Sequence, residues 1–320
     1  SHKYSEELKM KLIKNEKAEK STVKIEFSVD KEVFDAAVEK VYRKQVLPML
    51  EKGPMSIAVK IPLLNTAIYS VIKNKLMAAF GGNVRIFVCG GAPMNKESEA
   101  FLQKIGFPIT VGYGMTECAP LICVTPQPEE YKLGSCGKYL KEYLDVKIES
   151  ADPQRIPGEI MVKGEMVMQG YYKNQKDTEA VLEPDGWMHT GDMGVMDADG
   201  TVYIKGRCKT MILTDTGQNI YPEQIEDKLN NMPLVMESLV LENGGKLYGL
   251  VVPDFDHCEK EGIDRAQLED IMKENLKNLN EQVATYERLV SIAIHPSEFE
   301  KTPKRSIKRY LYDVKRLGIK

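Results

Sequence analysis

The chain has 320 residues, 42% of them hydrophobic and 28% charged, with a formal net charge of -3. That length accommodates two domains with packed cores, and the small negative charge excludes a general nucleic-acid binder. The six cysteines form no CxxC pair, which argues against structural zinc or a disulfide framework and fits reduced thiols in a cytoplasmic protein.

Residues 1–44 read as a lead segment. It is rich in Lys and Glu to residue 20, then alternates as a strand over Thr22–Phe27. A helix is predicted over Lys31–Lys44, with Val33, Phe34, Ala37, Val38 and Val41 inward. This strand and helix resemble, over a short span, the start of the ribosome-binding domain of trigger factor chaperones. No signal peptide is read here. The most apolar run, Met55–Ile72, is broken by Lys60, Pro62 and Asn65, so it predicts one or two buried helices and not a membrane span.

From Val84 the pattern sharpens. Val84–Cys89 predicts a buried strand ended by Gly90 and Gly91. Asn95 then caps a helix carrying Ala100, Phe101, Leu102 and Ile105, and Phe107–Val111 predicts a second strand closing on Gly112. Strand, helix and strand with short connections make a βαβ unit with parallel strands and a right-handed crossover. Both glycine-rich segments then fall at one carboxyl edge, where open α/β sheets bind ligands.

Between Gly134 and Ile204, short β-type runs at Val146–Ile148, Glu159–Val162 and Val202–Ile204 are separated by Pro153, Pro157-Gly158, Asp185-Gly186 and Asp199-Gly200. This spacing predicts a small antiparallel sheet or barrel. After Arg207 a strand is predicted at Met211–Leu213, a turn at Thr216-Gly217 and a helix from Pro222 with Ile225 and Leu229 inward. A hairpin around Asn243-Gly244-Gly245, helices near 265–285 and a strand at Val290–Ile294 follow. The domain boundary is placed at Arg207–Lys209. The last twenty residues are basic, a solvated face or one suited to phosphates.

The residues at the predicted edge suit a nucleoside monophosphate. Gly90, Gly91, Gly112 and Gly114 permit close backbone approach, Tyr113 offers a ring for stacking, Thr116 a hydroxyl for a phosphate oxygen, and Glu117 a hard ligand for Mg²⁺. Asp192, read as lying in an aromatic-flanked turn, suits two vicinal hydroxyls, and Arg207 a ribose or phosphate. Each of these, taken alone, is equally an ordinary turn or helix-start residue. His189 stands beside Trp187 with no triad or metal-ligand spacing around it.

In order, Gly90-Gly91-Ala92-Pro93, Tyr113-Gly114-Met115-Thr116-Glu117, Gly158-Glu159-Ile160 with Gly170-Tyr171-Tyr172, Trp187-Met188-His189-Thr190-Gly191-Asp192 and Gly206-Arg207-Cys208-Lys209 resemble the adenylate-forming superfamily. That group includes acyl-CoA synthetases, nonribosomal adenylation domains and luciferases. Lys44-Gln45-Val46-Leu47-Pro48 and Phe107–Pro120 resemble, within it, bacterial long-chain fatty acid–CoA ligases. The resemblance implies an α/β fold in which residues 45–207 form a partial large domain, with a sheet layer over 45–130 and a β-rich subdomain over 131–207. Residues 208–320 would form a small mobile α+β domain.

It also implies roles. Gly91, Ala92 and Pro93 would line an adenine site with Gly112, Tyr113 and Gly114, Tyr113 stacking on the base. Thr116 would contact phosphate and Glu117 would hold Mg²⁺. Asp192 would bind the ribose with help from Arg207, and Lys209 would be the hinge between the two domains. The implied substrates are a fatty acid, ATP and coenzyme A, with peripheral membrane contact and no nucleic acid.

Two departures stand against these matches. The family's Ser/Thr/Gly-rich phosphate loop ending in Pro-Lys is not in the 320 residues, and Ser306 takes the register of its late catalytic lysine, leaving Lys304 or Lys308 to substitute. The chain alone is therefore expected to bind AMP and not to activate acids. An adenylation enzyme for another acid or carrier, and a noncatalytic AMP-binding module, stay open as alternatives.

Overall fold

The computed structural model describes residues 62–91, 94–214, 217–302 and 306–318. The lead strand and helix, Ala92, Pro93, Thr216 and Lys304 lie outside the described residues. Of the run Met55–Ile72 expected as one or two buried helices, residues 55–61 lie outside the described residues, and the rest falls in helix α1 (Pro62–Ala79). It is buried on one side only, packing Ile68, Tyr69, Ile72 and Leu76 inward while Val71 is 55% exposed.

The βαβ unit forms as its punctuation predicts. Strand β1 (Phe87–Cys89), helix α2 (Lys96–Lys104) and strand β2 (Ile109–Val111) follow in order, and β1 pairs parallel to β2 with Cys89 opposite Val111. The Asn95 side chain accepts from Ser98 N at 3.0 Å and so caps α2, while Phe101 and Leu102 fill the core beneath it. One expectation fails. The first strand is shorter than Val84–Cys89 and only partly buried: among the described residues it pairs with β2 alone, and Val88 is 49% exposed while Cys89 is in the core.

Strand β3 (Tyr113–Gly114) turns back antiparallel onto β4 (Leu121–Val124), which pairs with β5 (Lys138–Tyr139). Next come β6 (Leu144–Glu149), β7 (Gly158–Gly164), the short helix α3 (Gln175–Glu179), β8 (Met188–Met196) and β9 (Val202–Arg207). The four strands make one antiparallel sheet in sequence order. Gly158 opens β7 and is no part of a turn, and Asp192 lies within β8, not in the turn expected of it. Thr-Gly-Asp has the composition of a turn, and here it fills an irregularity in a long strand.

Beyond Arg207, β10 (Ile212–Leu213) pairs with β11 (Asn219–Ile220), and α4 (Pro222–Leu229) follows with Ile225 and Leu229 buried. Strands β12 (Val235–Asn243) and β13 (Lys246–Pro253) form the expected hairpin, turning on Gly244 and Gly245, both at positive φ. Helix α5 (Phe255–Glu261), not expected, is bounded by the Asp254 cap and by Gly262. A single helix α6 (Arg265–Gln282) then leads to β14 (Leu289–Ile294), parallel to β13, and α7 (Val314–Leu317) ends the described chain.

Apolar packing changes partners near Arg207. One buried cluster gathers residues from Tyr69 to Val202, a second runs from Ile220 to Leu289 under α4 and α6, and a third holds Leu239, Leu250, Val252 and Phe299. Alternation along β12 explains the last two, since Leu239 and Val240 point to opposite faces and each face is covered. No described helix is long and apolar enough to cross a membrane.

Candidate functional site

Parallel pairing places the ends of β1 and β2 side by side. Gly112 N donates to Cys89 O at 2.7 Å, and a Cβ on Gly90 would lie 3.2 Å from Gly112 O. Gly91, at φ +88°, has nothing within 4 Å of such an atom, so its requirement is conformational. Gly114 differs: a Cβ there would fall 1.8 Å from Pro120 O, so the space is taken by the chain's own return toward β4. Gly114→Ala should therefore lower stability by at least about 1–3 kcal/mol. A thermal melt of wild-type character would reject that account.

Past this edge Tyr113 meets Asp192 across 79 residues of sequence, its hydroxyl donating to Oδ2 at 2.7 Å. On the neighbouring strand, directly opposite Asp192, Arg207 brings Nε to 3.3 Å from Oδ1. The two partners differ in burial: Asp192 is 8% exposed, whereas the Arg207 side chain is 74% exposed. Burial raises the Asp192 carboxyl above its ordinary range, and the Tyr113 hydrogen bond and Arg207 draw it back. Burial, followed by the charge of Asp192, also pushes the Tyr113 phenol up, so Tyr113 keeps its proton and donates.

The segment before Asp192 is pinned from several sides. Thr190 Oγ1 donates to Ile160 O at 2.7 Å and accepts from Asp192 N at 3.1 Å. Gly191 N donates to Glu159 Oε1 at 2.9 Å, and Gly191 O accepts from Cys208 N at 2.9 Å. His189 sits between two carboxylates, Nδ1 2.8 Å from Glu159 Oε2 and Nε2 3.1 Å from Glu183 Oε1. Its pKa is raised, chiefly by the Glu159 contact. Sequence reasoning left Glu159 and Glu183 without roles, since their partners follow from strand register and not from spacing.

Thr116 and Glu117 follow Tyr113 in a short 3-10 turn, Thr116–Cys118, where Thr116 is exposed. Glu117 Oε1 accepts from the Tyr171 hydroxyl at 3.0 Å, and Glu117 O from Met168 N at 2.8 Å, so the Gly170-Tyr171 segment closes over this turn. A carboxylate held through one oxygen fits a hard cation such as Mg²⁺ at its other oxygen.

The structure thus brings Tyr113, Asp192 and Arg207 into contact, with Gly112, Gly114, Thr116 and Glu117 on the same short segment as Tyr113. Lys209 is exposed in the turn after β9, where Thr210 N and Met211 N both donate to Arg207 O. Lys308 belongs to a different group, its Nζ 3.3 Å from Glu300 Oε2. The two halves of the chain touch along α4. Gln224 Nε2 donates to Lys205 O at 2.9 Å near its start, and Asn231 just past its end accepts from Asn95 Nδ2. Lys96 at the start of α2 adds an ion pair with Asp227 at 3.6 Å.

Known proteins resemble this chain in sequence and fold. A family profile described as AMP-binding enzyme matches residues 32–172, and one described as AMP-binding enzyme C-terminal domain matches residues 209–313. The 4-coumarate-CoA ligase 2 of Narcissus pseudonarcissus is 31% identical over 260 residues, taking in 76% of this chain and 43% of that enzyme. The long-chain-fatty-acid–CoA ligase FadD15 of Mycobacterium tuberculosis is 34% identical over 182 residues, 57% of this chain and 29% of that one. Among solved structures, the o-succinylbenzoate CoA synthetase MenE of Bacillus subtilis, in complex with its acyl-adenylate intermediate, aligns with a TM-score of 0.59 and 27% identity. That alignment covers 75% of this chain and 50% of MenE. The chain spans half or less of the length of each of these proteins.

Proposed function

Because the chain belongs to the AMP-binding enzyme family, we propose that it is the nucleotide-holding part of an acid–CoA ligase. In that reaction a carboxylate oxygen attacks the α-phosphorus of ATP and pyrophosphate leaves. The thiol of coenzyme A then attacks the acyl carbonyl, and AMP leaves. The observation that carries the reading is the meeting of Tyr113, Asp192 and Arg207 at the edge where both glycine-ended strands finish.

Each residue has a task. Asp192 accepts from the ribose hydroxyls with Arg207 beside it, while Gly91, Ala92, Pro93 and Gly112 are assigned to the base; Gly114, expected there too, has its open side filled by Pro120 and serves the turn toward β4. Thr116 donates to the phosphate, and Glu117 supplies an oxygen to Mg²⁺, which neutralises phosphate charge when bound. Tyr113 is buried and already on Asp192, so presenting its ring to adenine requires that the nucleoside hydroxyls take over Oδ2. Lys209 serves as the hinge between a large domain ending at residue 207 and a mobile one beginning at 208. Lys308 or Lys304 supplies the late cation.

We assign a long-chain fatty acid as the carboxylate and the cytoplasm as the setting. The 34% identity with FadD15 and the likeness of Phe107–Pro120 to long-chain ligases support the acid. In the 320-residue chain AMP binding should be measurable by calorimetry, whereas ATP–pyrophosphate exchange should be at least about 10²-fold below that of a protein carrying the phosphate loop. With that loop segment supplied upstream from a family member, exchange should be faster with palmitate than with 4-coumarate or 2-succinylbenzoate. The reverse order would reject the fatty acid assignment, and failure to bind AMP would reject the nucleotide site.

A further inference from the structure

Strand register leaves a gap that one side chain fills. Between β7 and β8, Glu159 lies opposite Met193 and Met161 opposite His189, so one residue of β7 faces three of β8, Thr190, Gly191 and Asp192. Those three bulge from the ladder, and their backbone groups need other partners. Gly191 takes φ +74°, a conformation that favours glycine, with open space where a Cβ would be. Beside the two Thr190 Oγ1 bonds, Gly191 itself is held by the hydrogen bond from its N to Glu159 Oε1 at 2.9 Å and, on the far side, by Cys208 N on Gly191 O.

We propose that Glu159 is the positioning residue of this bulge: one carboxylate ties the Gly191 amide to the His189 ring, and so sets the direction in which Asp192 presents its oxygens. The proposal rests on the reading of Asp192 as the ribose acceptor. Glu159 is well suited to the task because each of its oxygens has a separate partner, Gly191 N on Oε1 and His189 Nδ1 on Oε2 at 2.8 Å. The ring is held at its other nitrogen as well, Nε2 lying 3.1 Å from Glu183 Oε1 in the segment after α3, and the main chain beneath it by His189 N donating to Val181 O at 2.7 Å. Glu149 stands directly opposite Glu159 on β6, and one of its carboxylate oxygens lies within 4.8 Å of an oxygen of Glu159 and a ring nitrogen of His189. The groups facing the ring are therefore Glu159 from β7, Glu149 from β6 and Glu183, with Asp192 farther along β8, all acidic. Of these, Glu159 first and then Glu183 favour a charged imidazolium against its partial burial, and that charge in turn keeps Glu159 in place.

Calorimetric titration of AMP into the full chain tests this, across pH 5.5 to 8.5, for the wild type, Glu159→Gln, Glu159→Ala and Asp192→Ala. Gln keeps an acceptor for Gly191 N and loses the charge that holds His189, so about three- to tenfold weaker binding is expected, with a larger loss for Ala. The wild type should also lose affinity as pH rises through the His189 titration. In Glu159→Gln that alkaline limb should move to lower pH, whereas a Glu159 serving only sheet stability would leave AMP affinity without such a limb even in the wild type. Wild-type affinity and an unmoved limb in Glu159→Gln, alongside weakened binding in Asp192→Ala, would overturn the positioning role alone. Unchanged affinity in Asp192→Ala would overturn the ribose reading and the proposal with it.

Discussion

Asp192→Ala should weaken AMP binding by at least about tenfold. A hydrogen bond to a charged group contributes roughly 1.5–3 kcal/mol, and 1.4 kcal/mol corresponds to a decade in affinity. Two ribose hydroxyls would suggest more, but the carboxylate must first exchange Tyr113 and Arg207 for them, which brings the net effect toward the lower figure. Tyr113→Phe separates the two uses of this carboxylate. Without the phenol, Oδ2 is open to the ribose, so the Phe variant should bind AMP no more weakly than the wild type, provided the ring still packs. Phe and Ala variants weakened equally would make the Tyr113–Asp192 contact structural only. The carboxyl is raised by burial, so affinity should also fall as pH drops and Asp192 takes up a proton. The Ala variant should lack that acid limb.

Much of the architecture follows from local signals. Asn95 has a side chain that satisfies an amide at the start of α2, and Gly90, Gly91 and Gly112 stop strands, so the βαβ unit can be read without knowing its neighbours. The Asn243-Gly244-Gly245 turn fixes the β12–β13 hairpin in the same way. The failures arise where pairing across long sequence distances decides. Strand β8 was hidden because Thr190-Gly191-Asp192 has turn composition, and only its mismatch with β7 shows that it is a bulge within a strand. Val88 was expected to be buried because an apolar run carries no information about whether a second layer covers it.

The site divides along the same line. Tyr113, Asp192 and Arg207 were legible as residue types suited to a nucleoside, and their contact is a product of the fold. Of the carboxylates that organise the bulge, Glu159 stood in the Gly158-Glu159-Ile160 motif without a role and Glu183 in none, because His189 reaches one across a strand pair and the other across a loop. The basic C-terminal stretch was read as a solvated face or a phosphate contact. Three of its members are instead paired with acids, Lys301 with Glu237, Lys308 with Glu300 and Arg309 with Glu226.

The last of these pairs carries the largest expected effect on stability. Glu226 Oε1 accepts from Arg309 Nη1 and Nη2, both at 2.6 Å, and from Val240 N at 2.7 Å, which ties the segment bearing Lys308 to the end of α4. Removing one partner of a fully buried pair typically costs about 3–5 kcal/mol; this pair is only partly buried, with 23% of the Arg309 side chain exposed, so Arg309→Ala should fall below that range and still shift urea denaturation measurably at pH 8. The loss should shrink at lower pH. Burial pushes the Glu226 carboxyl from 4.5 up to about 7 despite Arg309, so the stranded group can take up a proton and become neutral. The same shift sets a slope in the wild type. Between pH 4.5 and 7 the folded state holds this proton more often than the unfolded state, so stability falls as pH rises through that window, by up to about 3 kcal/mol, and levels above it. Glu226→Gln keeps an acceptor for Arg309 and Val240 and removes the titration, so its stability should vary less over that range. Parallel pH profiles for the wild type and Glu226→Gln in urea would reject a raised Glu226. If Arg309→Ala also weakens any activity assigned to Lys308 at a pH where the chain is fully folded, the pair fixes that lysine's position as well as the fold.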